Sequence, residues 1–85
     1  MQHIEQVIKD YIVKEFMYNE SGKVLDNDLP IIQEGIVDSL GIFKLVGFIE
    51  EQFGIKIQPD DIVLENFETV RAIQGLVTTK LSSTP

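Results

Sequence analysis

Ser39 is the residue of this 85-residue chain whose neighbours most suggest chemistry. It stands in "GIVDSLGIFKL" (35–45), where a Gly- and Asp-containing stretch gives way to an apolar run. A serine at such a junction has three roles open to it. Its hydroxyl can cap the helix that follows, because Ser and Asp oxygens accept hydrogen bonds from free first-turn N–H groups; Asp38 can do the same. It can act as a nucleophile, but a nucleophile elbow needs G-x-S-x-G and a histidine base. Val37 stands two residues before Ser39, and His3, the only histidine, lies far off at the N-terminus. Or its hydroxyl can be modified by another enzyme. A phosphodiester at a helix start meets free backbone N–H groups and the positive end of the helix dipole. Asp38 would then serve the modifying enzyme as a recognition or metal-orienting group.

Other chemistries find little support. Without cysteine there is no disulfide framework, zinc-finger spacing or thiol nucleophile. No carboxylate pair has a recognisable acid–base setting, and no glycine loop is spaced to cradle phosphate. Asp26-Asn27-Asp28 resembles the start of a calcium loop, but the alternating acids, glycine and terminal glutamate are out of register, so no metal site is expected. Fourteen acidic against seven basic residues give a net charge of −7. That disfavours nucleic acid, which needs clustered Lys and Arg. It suits partners with basic surfaces, or simply keeps a small protein in solution. No apolar run approaches the roughly 20 residues that span a bilayer, and "MQHIEQVIKDYI" lacks a signal peptide's apolar block. A cytoplasmic protein is expected.

These residues must be positioned by a small domain, one that buries only about 60% of the surface its unfolded chain exposes. Ile4, Val7, Ile8, Tyr11, Ile12 and Phe16 form one face of an amphipathic helix over about 2–18. Glu5/Lys9 and Asp10/Lys14 are acid-then-base pairs on its solvated side. "NESGK" (19–23), with Gly22 as turn residue, ends it. Residues 19–38 then lack a helical period, yet Val24, Leu25, Leu29, Ile31, Ile32 and Ile36 are too apolar for a free linker. They predict a long loop pinned to the core, a kind of loop that is often functional.

The second helix, about 39–53, carries a core stripe of Ile42, Leu45, Val46, Ile49 and Phe53. Leu40, Phe43 and Gly47 fall opposite, beside Lys44, Glu50 and Glu51, which predicts a docking surface unless loops cover them. Gly54 is a helix-ending glycine. "IKIQ" is too short and unpartnered for a strand, so it reads as an extended connector. "PDD" (59–61) opens a short helix, and Val70, Ile73, Val77 and Leu81 make the last helical stripe from about Thr69 to Lys80.

"GIVDSLGIFKLVGFIEEQFGIKIQPDDI" resembles the prosthetic-group region of acyl carrier proteins, small acidic proteins whose D-S-L serine carries 4′-phosphopantetheine. The resemblance is strongest over residues 35–57 and extends loosely to the whole chain. It implies an all-α, four-helix bundle with a long loop between helices 1 and 2 and a short third helix. It also implies a single domain over 1–85 whose last residues, 82–85, fray. Ser39 matches the attachment serine, Asp38 the acid before it, and Leu40 the residue after it at the cofactor. Leu40 and Phe43 match outward apolar positions that touch partner enzymes, Glu50 and Glu51 an acidic pair, and Phe67 an apolar residue near the arm's exit that is expected, with them, to contact partners. The family's fatty-acid members place acids where this chain has Gly41 and Lys44, and a larger apolar residue where it has Gly47. Those departures imply a dedicated carrier rather than one for the housekeeping fatty-acid enzymes.

The resemblance therefore implies a monomeric carrier that performs no chemistry itself. Its arm comes from coenzyme A through a phosphopantetheinyl transferase that binds the magnesium. Acyl- or aminoacyl-loading ligases and acyltransferase or synthase enzymes are the implied further partners, with neither nucleic acid nor a membrane span. The cargo is an acyl thioester of a specialised fatty-acid- or polyketide-like pathway, partly sheltered between the second and third helices. An aminoacyl or peptidyl carrier, D-alanyl included, is the alternative. Outside the family stand a helical adaptor using Leu40 and Phe43 without a prosthetic group and, more distantly, a hydrolase.

Overall fold

The computed structural model describes residues 4–17 and 25–82. His3, "NESGK" with Gly22, Val24 and the tail beyond Ser82 lie outside the described residues. The remainder forms α1 (Ile4–Phe16), α2 (Ser39–Phe53), a single 3₁₀ turn (Pro59–Asp61), α3 (Leu64–Phe67) and α4 (Val70–Ser82), with no strand among the described residues. α4 packs against α1 and α3, and α2 lies against both α1 and α4. The expected all-α architecture with a long first loop and a short third helix is therefore the one observed.

Periodicity explains the long helices. Ile8 and Ile12 of α1 are fully buried, with Ile4, Tyr11 and Phe16 packed around them. Glu5 in the first turn and Lys14 in the last complement the helix dipole. α4 is capped by Thr69, whose Oγ1 accepts from Ala72 N at 3.0 Å. It buries Val70, Ile73, Leu76 and Val77. Leu81, expected in that stripe, is instead exposed in the helix's last turn, beyond the end of the core, and Leu76 fills the interior. The connector 55–58 is extended, as expected, and buries Ile57.

The loop before α2 is fastened at both faces. Leu25, Ile31 and Val37 are buried in the common core, and Leu29, Ile32 and Ile36 pack against it. Ile31 N donates to Glu68 O at 2.9 Å, Arg71 N to Asn27 O at 3.0 Å, and Ile36 N and Val37 N both reach Ile31 O. Arg71 forks onto the two Asp28 carboxylate oxygens at 2.6 and 3.2 Å, and Asn27 Nδ2 donates to Glu5 Oε2 at 2.7 Å. Gly35, at φ +76°, supplies the left-handed turn that brings the chain back toward α2. The loop is thus a strap from α1 to the start of α4.

One element differs from expectation. "PDD" does not open the short helix but closes a separate 3₁₀ turn, after which Ile62 and Val63 leave the helical region and α3 starts afresh at Leu64. Asp61 is the cause: its carboxylate accepts from Gln58 N at 2.9 Å and pairs with Lys80 at 2.6 Å, while its carbonyl accepts from Asn66 Nδ2 at 2.7 Å. Those bonds hold the turn as an independent corner.

Candidate functional site

Which residue caps α2 is settled by geometry. Asp38 is extended (φ −103°, ψ −172°), its Oδ1 accepts from Gly41 N at 2.8 Å, and its carbonyl accepts from Ile42 N at 2.9 Å. Ser39 is the first helical residue; it is exposed, and its hydroxyl makes no hydrogen bond among the described residues. The first N–H groups of a helix have no intrahelical partner. With the amide of Gly41 taken by Asp38, those of Ser39 and Leu40 remain at the open end. An exposed, unengaged hydroxyl beside two free N–H groups, with no acid in the first turn of α2, fits a serine-linked phosphodiester. The described residues contain no histidine. Nor do they contain a cluster of three His, Cys, Asp or Glu able to hold a metal.

Gly41 fixes how closely this end of α2 approaches α1. A Cβ there would stand 2.9 Å from Phe16 Cε1 and 3.0 Å from Val37 Cγ1. Gly41, expected to bear on partner choice, is therefore buried and faces the core. The outward positions are Leu40 (73% exposed), Phe43 (65% exposed), Lys44 and Gly47, which at 100° per residue share one face with Glu51. Gly54 closes the helix at φ +65°, its N–H donating to Glu50 O at 2.9 Å.

Two expected docking residues are turned inward. Phe67 is 1% exposed and among the largest fully buried side chains, so it is a core residue and offers no surface to a partner. Glu50 is half-buried, and its carboxylate accepts from Ile57 N at 2.8 Å, holding the connector after α2 rather than presenting a charge. Conversely, Val63 and Leu64 are exposed apolar residues beside α3 that sequence reasoning missed. Four helical residues show no period, so no pattern separates inward Phe67 from outward Leu64.

A groove of about 430 Å³ lies along α1 and α2, lined by Val7, Asp10, Tyr11, Lys14 and Glu15 of α1 and by Phe48. Tyr11 stacks on Phe48 with centroids 3.9 Å apart and an interplanar angle of 14°, and Phe16 meets Tyr11 edge-on at 6.1 Å. Burial and the neighbouring Glu15 raise the Tyr11 hydroxyl above its ordinary pKa.

Comparison with known proteins supplies independent findings. The family described as phosphopantetheine attachment site matches residues 6–77. The chain is 32% identical over 74 residues to the probable acyl carrier protein PigG of Serratia sp. (strain ATCC 39006), covering 87% of this chain and 84% of that protein. It is 26% identical over 80 residues to the D-alanyl carrier protein of Abiotrophia defectiva, covering 94% and 89%. A chain in a crystal structure of an FAD-dependent dehydrogenase superposes with a TM-score of 0.73 at 30% identity, over 82% of this chain and 97% of that one.

Proposed function

The chain belongs to the phosphopantetheine attachment-site family, and from that premise we propose that Ser39 Oγ is the atom that takes the arm. The observation that carries this is the division of labour at the start of α2: Asp38 does the capping, so the Ser39 hydroxyl is left exposed and unengaged. The chain is a carrier protein. When bound, the arm supplies a terminal thiol on which an acyl group is held as a thioester.

Attachment forms the Ser39 Oγ–P bond and breaks the pyrophosphate of coenzyme A. The nucleotide half leaves and the hydroxyl proton passes to solvent or to the transferase. The free amides of Ser39 and Leu40, with the positive end of α2, would hold the phosphodiester. Asp38 holds the first turn in place during the transfer, and Leu40 and Phe43 offer the transferase and the loading enzymes an apolar grip. Tethering turns each later enzyme encounter into a local search at high effective concentration.

We read residues 1–85 as one cytoplasmic, monomeric carrier that shuttles substrate between biosynthetic enzymes. An acyl cargo of a specialised fatty-acid- or polyketide-like pathway is favoured by the likeness to a probable acyl carrier protein. The D-alanyl carrier relative supports an aminoacyl cargo as the second reading. The structural neighbour supports a flavin-dependent dehydrogenase as one partner class, beside loading ligases and acyltransferases. No helix among the described residues is long and apolar enough to cross a membrane.

The test is intact mass after incubation with coenzyme A and a broad-specificity phosphopantetheinyl transferase. The expected result is a gain of one phosphopantetheine in the wild type and none in Ser39→Ala. No gain under conditions that load a control carrier would overturn the proposal and favour an adaptor without a prosthetic group.

A further inference from the structure

Tyr11 and Phe48 meet across α1 and α2, and the groove beside them has no part in attaching the arm. Its lining comes from those two helices alone. Val7, Asp10, Tyr11, Lys14 and Glu15 follow one stripe of α1, and Phe48 closes it from α2. At about 430 Å³ the groove falls in the size range of small-ligand sites. The stacked rings of Tyr11 and Phe48, 3.9 Å apart, give it an aromatic wall, with Val7 as a further apolar surface.

Two carboxylates and one ammonium border those rings. Glu15 is exposed and makes no hydrogen bond or ion pair among the described residues. Its charge nevertheless reaches the phenol, where it adds to burial in raising the Tyr11 pKa. Asp10 Oδ1 accepts from Gln6 Nε2 at 2.8 Å, which leaves Oδ2 without a partner among the described residues. Lys14 lies in no ion pair with either acid. The groove is thus net negative beside aromatic rings, surroundings that suit an ammonium group.

The near end of the groove is within reach of Ser39. The Tyr11 hydroxyl donates to Lys44 O at 3.4 Å, which sets that end beside Lys44. Lys44 stands five residues beyond Ser39, about 7.5 Å of rise and 140° of turn, or roughly 14 Å over a helix about 10 Å wide. An extended chain gains about 3.4 Å per three backbone atoms, so the arm spans roughly 15 Å from phosphorus to sulfur. The arm's length is spent in reaching the mouth, and the group on its thiol is what can enter.

We propose that this groove holds an aminoacyl cargo, its ammonium at Glu15 and Asp10 and its apolar part on Tyr11 and Phe48. Charge complementarity selects that occupant. A carboxylated acyl group would meet two like charges, and a plain alkyl chain would leave both acids without a partner. The proposal rests on the carrier reading of Ser39 and takes the aminoacyl cargo of the two that reading admits.

The experiment loads the full-length protein at Ser39, using a phosphopantetheinyl transferase and stable amide analogues of coenzyme A. One analogue carries an alanyl group and the other a propionyl group, which lacks only the ammonium. Intact mass is read first; a protein that takes neither arm overturns the carrier reading itself. Isotope-filtered NMR then reads contacts from the labelled alanyl methyl. Expected are nuclear Overhauser contacts to the Tyr11 and Phe48 rings, with a shift of the Glu15 carboxylate resonance. Those contacts should be lost with propionyl and in the double variant Asp10→Asn, Glu15→Gln. Both replaced side chains are exposed, and an amide spectrum unchanged away from α1 checks that the fold stands. Lys14→Gln should strengthen the contacts. Equal contacts from alanyl and propionyl would make the groove a plain apolar shelter and overturn the proposal. So would alanyl contacts to Leu64 or Phe67 of α3 instead, or contacts to no side chain at all.

Discussion

At Asp38 a single carboxylate oxygen decides what the next residue is free to do. Removing it should cost about 0.5–2 kcal/mol, the usual effect of losing an N-cap, seen as a lower urea midpoint for Asp38→Ala. The two glycines of α2 make a sharper pair. Gly41→Ala forces a methyl against Phe16 and Val37. Overpacking costs about 1–3 kcal/mol, offset by up to about 1 kcal/mol of helix propensity, so the net should be destabilising. Gly47→Ala meets nothing and should stabilise by roughly 0.5–1 kcal/mol. Urea midpoints moving in opposite directions check both; a stabilised Gly41→Ala would mean the contact relaxes freely. The sequence could not separate these glycines. Gly41 sits just outside the helical core stripe, and a residue without a side chain leaves no hydropathy signal. Likewise "DS" offers two cap candidates, and only backbone dihedrals choose between them.

At the scale of elements, α1, α2 and α4 were legible because each runs long enough for an apolar period to repeat. The stretch from Pro59 to Phe67 was not. It divides into a turn and a four-residue helix, and side-chain bonds from Asp61 rather than periodicity set the break. Phe67 is the residue most affected. Read by resemblance it is a contact for partners; in the fold it is a core ring. Phe67→Ala should cost about 3–5 kcal/mol, a large share of the roughly 5–15 kcal/mol that holds a domain together. Thermal unfolding should report it as a broad loss of cooperativity or a much lower Tm. Near-native stability with impaired loading would restore the docking role. The loop before α2 was legible as apolar and pinned, but its partners Glu68 and Arg71 are distant in sequence and no local pattern announces them.

For the molecule as a whole, acid stability should follow two carboxylates. Asp28 is held below its ordinary pKa by hydrogen bonds from Arg71, and Asp61 by Lys80 and by the Gln58 amide. A carboxylate whose pKa is depressed on folding stabilises above its unfolded pKa, and that contribution is lost as pH falls through its folded value. Unfolding free energy should thus be level above about pH 5 and decline below about pH 4. Asp61→Asn should be less stable at neutral pH and show a shallower acid decline, measured by urea titration across pH. An unchanged acid slope would assign the decline to other groups. High salt should weaken the exposed Asp28–Arg71 pair most, since exposed ion pairs are screened.

Because Asp38 rather than Ser39 closes the first turn of α2, the proposed attachment atom is a passenger on the helix and not one of its struts. Removing the Ser39 hydroxyl therefore takes no hydrogen bond from the fold. Ser39→Ala, inert as a carrier, should unfold within about 0.5 kcal/mol of the wild type.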